Sequence, residues 1–186
     1  MRAIRFVRQA TMKNENTQDW PDRIFAEFKR ANVRQVGYVP DAGHARLIDL
    51  CKADPEIADV VLTTEEEGVA LAAGAWLGGQ RSVLLMQSSG VGNCINMLSL
   101  IRTCSFPFFT LVTMRGEWEE FNPWQQPMGS IVEPVFALCE TKVTRAMTPE
   151  EAPVLTAEAL DFVFKEERAA AVLLSQQLIG AKVWTK

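Results

Sequence analysis

Positive charge is scarce in this chain: 19 Lys and Arg stand against 23 Asp and Glu, a net charge of −4. A protein built to hold a phosphate backbone needs a basic face, so nucleic-acid binding is excluded. No apolar run approaches the roughly 18 residues of a membrane-crossing helix, and no secretory leader is visible, so a soluble, cytoplasmic protein is expected. Four cysteines (Cys51, Cys94, Cys104, Cys139) lie far apart in apolar segments. Neither a metal cluster nor a disulfide framework follows from that spacing; buried free thiols are expected. Histidine occurs once, as His44, so a serine hydrolase would have to recruit that one side chain as its base.

What is present fits one globular domain: 186 residues, 48% hydrophobic, with no repeat, low-complexity segment or internal linker. The opening stretch "MRAIRFVRQATMKNENTQ" carries four basic groups before any acid. A flexible, solvated extension is expected over residues 1–18 and the folded domain over 19–186.

From Asp19 onward helical and strand patterns alternate. "DWPDRIFAEFKRAN" places Pro21 in a first turn with Ile24, Phe25 and Phe28 on one face, which predicts a helix. "VRQVGYVP", "IADVVLT", "SVLLMQ", "FPFFTLVTM", "TKVTRA" and "RAAAVLLSQ" read as strands. Helices are expected at 44–53, 65–79, 92–104, 131–139 and 148–166, with a long polar and aromatic loop over 116–130. Strands that are apolar throughout are buried on both faces. The expected fold is therefore an α/β three-layer sandwich on a mostly parallel sheet of about six strands. In such sheets ligands sit beyond the carboxyl ends of the strands. That directs attention to "VPDAGH", "TTEEE", "QSSGVGN" and "MRGEWEEFNPWQQPMGS".

Three consecutive glutamates open the third helix. Thr64 and Glu67 have the spacing of a capping box, in which hydroxyl and carboxylate each satisfy an orphan backbone donor. Glu66 gains from the helix dipole and can face water. Glu65 lies where the strand's end opens on the crevice and has no packing reason. Behind it, Gly68, Ala72, Ala75 and Gly79 draw a stripe of small residues along one face. Such a stripe suits close approach of another backbone, whether the sheet beneath or a partner subunit.

"QSSGVGN" is not a G-x-G-x-x-G fingerprint, lacks the lysine of a nucleotide P-loop, and is not G-x-S-x-G. It is expected as a turn that brings backbone, Ser88, Ser89 and Asn93 close to a ligand.

Together, "EEEGVALAAGAWLGG" followed by "SVLLMQSSGVGNCINMLSLI" resembles the pyrimidine-binding domain of thiamin diphosphate-dependent 2-oxo acid decarboxylases, nearest to the sulfopyruvate and phosphonopyruvate decarboxylase branch. "VPDAGH" and "QQPMG" are similar to their counterparts there, and the likeness runs from about Asp19 to Gln176. The resemblance implies that Glu65 is the catalytic carboxylate against the cofactor's pyrimidine ring, with Gln87, Ser88, Ser89, Gly90 and Asn93 around the cofactor. It places Asp41, His44, Arg115 and Gln126 toward the substrate, a 3-substituted pyruvate, with His44 and Arg115 as partners for its anionic group. Members of the family bind the diphosphate and magnesium through a G-D-G motif and a downstream Asn-Asn pair, and neither occurs here. The resemblance thus implies half an enzyme, completed by a separate β subunit, with Trp118, Phe121 and Trp124 available for subunit contact. A non-catalytic structural or regulatory homologue and a generic nucleotide-binding module are the alternatives.

Overall fold

The computed structural model describes residues 20–180, so the extension expected over residues 1–18 lies outside the described residues. In chain order the elements are α1 (Trp20–Arg30), β1 (Val33–Tyr38), a 3-10 turn (Ala42–His44), α2 (Ala45–Ala53), β2 (Ala58–Val61), α3 (Glu66–Leu77) and β3 (Arg81–Gln87). There follow α4 (Ser88–Cys104), β4 (Phe108–Thr113), α5 (Gln125–Leu138), β5 (Lys142–Ala146), α6 (Glu151–Glu166), β6 (Ala169–Leu174) and α7 (Gln176–Ile179). Six strands form one sheet in the order β2-β1-β3-β4-β6-β5, and every pairing is parallel.

Burial explains the pattern read from the sequence. All six residues of β4 and the middle of β3 are buried, because helices cover both faces. One core joins α1, α2 and α6 to the sheet through Ile24, Phe28, Leu47, Leu160 and Val163. There Phe28 meets Phe109 edge to face, with ring centroids 6.5 Å apart, a favoured aromatic geometry. The other core joins α3, α4 and α5 through Val69, Ala72, Val91, Leu98 and Phe136. The edge strands β2 and β5 are short and mostly exposed or half-buried, which limits pairing with other chains.

The small-residue stripe on α3 belongs to this second core. A Cβ at Gly68 would collide with the Leu84 side chain, and Ala72 and Ala75 are buried. Gly79 lies past the helix end at φ +71, in the left-handed region that favours glycine. The stripe lets α3 settle onto β3 and is not a surface for a partner.

Two helices begin earlier than their sequences predict. β3 passes into α4 at Ser88 with no intervening loop, so "QSSGVGN" is a helix start. α5 begins at Gln125, which moves Gln126 from the expected loop onto a helix. Pro127 stands in its first turn, where the missing N–H has no helical partner to lose. Thiols also depart from expectation: Cys51 and Cys94 are buried, whereas Cys104 is exposed and Cys139 half-buried. Among the described residues no helix is long and apolar enough to cross a membrane.

Candidate active site

The sheet reverses its winding between β1 and β3, since the connection leaving β1 runs toward β2 and that leaving β3 runs toward β4. A crevice opens at such a point beyond the carboxyl ends of the strands. Asp41 and Gln87 meet at this point, with Gln87 Nε2 donating to Asp41 Oδ1 at 3.0 Å. Asp41 Oδ2 accepts from Thr113 Oγ1 at 2.8 Å and from the Gly43 N–H at 3.1 Å, which starts the 3-10 turn as an Asx cap. Gln87 Oε1 in turn accepts from Ser89 Oγ at 3.0 Å and from Gln125 Nε2 at 3.3 Å. The loop after β1, the ends of β3 and β4 and the starts of α4 and α5 are thereby tied into one cluster.

Glu65 stands beside it at the head of α3, with 8% of its surface exposed. Asn93 Nδ2 donates to its Oε2 at 2.8 Å. Its remaining carboxylate oxygen takes no hydrogen bond from the described residues. Gly90 makes the room: a Cβ there would lie 2.6 Å from Cγ, Cδ and Oε1 of Glu65. Glycine inside a helix costs about 1 kcal/mol relative to alanine, and here the missing side chain is what admits the carboxyl group. Gly92 is set against the Met128 side chain in the same way, at 3.0 Å. These glycines provide clearance between elements instead of the turn freedom that the sequence suggests.

The other two glutamates are exposed. Glu67 does reach back to cap the chain, but its carboxylate accepts from the Thr63 N–H at 2.8 Å, and the residue at the cap position makes no side-chain cap bond. The reciprocal capping box expected at Thr64 and Glu67 occurs instead ahead of α6. There the Glu151 N–H donates to Thr148 Oγ1 and the Thr148 N–H to Glu151 Oε2, both at 3.3 Å.

Several expected ligand-facing residues have other occupations. Ser88 is fully buried, and its hydroxyl accepts from the Arg115 N–H at 3.1 Å, so it ties α4 to the end of β4. His44 is 1% exposed, and its Nε2 faces the carbonyl oxygens of Met86 at 3.3 Å and Leu111 at 3.1 Å. Two acceptors require the proton on Nε2, and burial pulls its pKa down. A buried, neutral imidazole stitching β3 to β4 supplies no charge for a sulfonate.

Arg115 is equally withdrawn. Its guanidinium grips Glu120 through Nε at 2.6 Å and Nη2 at 2.5 Å, with side chains 4% and 2% exposed. Glu120 also accepts from the backbone N–H groups of Gly116 and Asn122 and from Gln176 Nε2. Arg115 foremost, and these donors with it, hold its pKa down at about 2. The pair shapes the loop from which Trp118, Phe121 and Trp124 protrude, 37%, 43% and 68% exposed.

Gln126 is exposed and outside the cluster; its neighbour Gln125 enters it. Sequence reasoning missed Gln125 and Thr113, and the only signal for Thr113 was a polar residue closing an apolar strand. Cys94, beside the site, is no nucleophile, because burial, reinforced by the carboxylates of Glu65 and Glu66, pushes its pKa up to about 12.

Comparison with known proteins places the chain in a lineage. No family model matches the chain. The chain is 35% identical over 151 residues to the sulfopyruvate decarboxylase subunit alpha of Methanocaldococcus jannaschii, a match that spans 81% of this chain and 89% of that one. It is 35% identical to the sulfopyruvate decarboxylase of Methanosarcina acetivorans over 88% of its own length but only 40% of that longer protein. To the phosphonopyruvate decarboxylase of Streptomyces viridochromogenes it is 36% identical over 63% of this chain and 30% of the relative. Among solved structures, a 2-oxoglutarate:ferredoxin oxidoreductase from Magnetococcus marinus shares the fold, with a TM-score of 0.66 at 13% identity over 87% of this chain and 29% of that one. The chain belongs to the family of the sulfopyruvate decarboxylase alpha subunits.

Proposed function

We propose that this chain is the alpha subunit of a thiamin diphosphate-dependent decarboxylase acting on a 3-substituted pyruvate, foremost sulfopyruvate, which becomes sulfoacetaldehyde and carbon dioxide. The observation that carries the reading is the Glu65 carboxyl group, seated in the clearance left by Gly90, steadied by Asn93, and with one oxygen open. These residues suit a heteroaromatic ring nitrogen: a single oriented carboxyl group at a helix start, largely sheltered from water. Thiamin diphosphate, when bound, supplies the electron sink that takes up the electrons of the breaking carbon–carboxylate bond. With the cofactor bound, Glu65 would form the hydrogen bond to the ring nitrogen, Asn93 holds the other carboxylate oxygen and so fixes which one would face it, and Gly90 keeps room for the carboxyl group. The Asp41, Gln87 and Ser89 cluster lines the crevice where the keto acid lies.

A separate beta subunit is assigned the diphosphate and magnesium. Two facts support this: the alpha subunit of the Methanocaldococcus enzyme is matched over 89% of its length, whereas the Methanosarcina protein, called simply sulfopyruvate decarboxylase, has more than half its length beyond the match. The exposed aromatics of the 115–124 loop are the proposed contact with that partner. Phosphonopyruvate is the second substrate to test, on the strength of the Streptomyces relative.

The test is co-expression with the chain encoded by an adjacent reading frame, followed by measurement of aldehyde formed from sulfopyruvate and phosphonopyruvate with thiamin diphosphate and magnesium. Turnover in the wild-type complex and its loss in Glu65→Gln are expected. An assembled complex that decarboxylates no 2-oxo acid defeats the reading.

A further inference from the structure

All the hydrogen bonds of the crevice cluster run in one direction. A carboxylate only accepts, so Asp41 takes hydrogens from Gly43, Thr113 and Gln87. Gln87 must therefore turn its NH2 group toward Asp41 and its carbonyl away. That carbonyl then accepts from Ser89 and from the NH2 group of Gln125. The orientation of each amide follows from the one before it, and the chain ends on Gln125 Oε1. That atom is buried and has no hydrogen-bond partner among the described residues. An unmet buried acceptor is unfavourable by about 1–3 kcal/mol, and such atoms in native proteins point to function or to an absent partner.

The geometry points to Gln125 as the residue by which the crevice reads a neutral N–H or O–H donor on its ligand, with Asp41 as the positioning residue that sets the polarity. The inference rests on the decarboxylase reading for the identity of the ligand, but the polarity argument does not depend on it. Two sources carry such a donor: the amino group of the cofactor's pyrimidine, and a hydroxyl on the substrate's third carbon. A deprotonated sulfonate offers acceptors alone, so its negative charge must be met elsewhere than at Gln125.

The experiment uses the complex co-purified with its partner chain. Gln125→Met keeps the length of the side chain and removes the orphan acceptor, while Gln87 Oε1 keeps Ser89 as its donor. Its melting temperature is expected to equal or exceed the wild type's. A fall of more than about 3 °C, the change that roughly 1 kcal/mol produces in a domain of this size, overturns the inference, because it marks the glutamine as structural. Affinity is read by quenching of tryptophan fluorescence on titration with thiamin diphosphate, and separately by the KM for 3-hydroxypyruvate relative to sulfopyruvate. A loss of about tenfold in the first assigns the donor to the cofactor, and in the second to the substrate hydroxyl. No change in either overturns the inference. Asp41→Asn frees both amides to turn over and present N–H at Gln125, so the KM ratio should move toward sulfopyruvate, a change that mere loss of packing would not produce. If the wild-type complex turns over no 2-oxo acid, the decarboxylase reading fails by itself; fluorescence titration with 3-hydroxypyruvate then replaces the KM arm, and the melting and two binding arms still decide this one.

Discussion

Glu65 and Gly90 occupy one space between them: the carboxyl group of the first fills the volume where a side chain on the second would begin, 2.6 Å from Cδ and Oε1. Two residues 25 positions apart, one heading α3 and the other in the first turn of α4, are thereby dependent on each other.

Gly90→Ala tests that dependence. Alanine regains about 1 kcal/mol of helix propensity, but overpacking against Glu65 works against it by roughly 1–3 kcal/mol. The melting temperature should therefore fall only modestly. The carboxyl group must shift, however, and a displacement near 1 Å in a reacting group lowers turnover by about 100-fold. Steady-state kinetics of the assembled complex beside a thermal melt would check this, and an alanine variant with wild-type kcat would refute the role given to Glu65.

Glu120→Gln should be severe for stability and shows its signature in pH. The folded-state pKa of about 2 lies below the ordinary 4.5. The carboxylate thus contributes stability that is complete above about 4.5 and is lost as pH falls through 2. Removing its charge leaves Arg115 buried and unpaired, a loss of about 3 kcal/mol or more at pH 7. Urea unfolding at pH 7 and pH 3 should show a large difference between wild type and variant at the first and a smaller one at the second.

His44→Gln separates structure from substrate contact. Burial depresses the folded pKa of the imidazole below its ordinary 6.5. The unfolded chain then takes up the proton first, so this residue's contribution is full above about 6.5 and declines as pH falls below it. Glutamine can still donate to Met86 and Leu111 but cannot titrate, so the variant should lose stability less steeply than wild type between pH 6.5 and 5. A KM for sulfopyruvate raised tenfold or more, with an unchanged melting profile, would return His44 to the substrate.

Trp124→Ser concerns the partner. With 68% of its surface exposed, Trp124 adds little to the fold of this chain, so the variant should melt with the wild type when isolated. Association should weaken by about tenfold or more if the loop is a contact, since aromatic anchors carry most interface energy. Analytical ultracentrifugation of the two chains would show it, and an unchanged dissociation constant would place the interface elsewhere.

Much of the frame was legible along the chain, and the reasons are physical. β3, β4 and β6 read as uninterrupted apolar runs because both faces are covered, and parallel pairing follows from the helices between them. The start of α4 was misread because Gly90 and Gly92 look like loop residues until the Glu65 and Met128 side chains beside them are seen. α5 was begun too late because Pro127 and Gly129 read as breakers. Yet Pro127 occupies a first turn, and a Cβ at Gly129 would strike the carbonyl of Arg115.

Sequence alone determined the layered parallel fold and singled out Glu65 as the glutamate that neither capping nor the helix dipole accounts for, since periodicity and capping act over a few neighbouring residues. Which polar groups remain available for a ligand was decided only by tertiary structure. Arg115 is neutralised by Glu120, His44 is sealed between β3 and β4, and Asp41 meets Thr113 from 72 positions away. Charge is expressed or cancelled by what stands within about 3 Å, and long-range folding alone sets that distance.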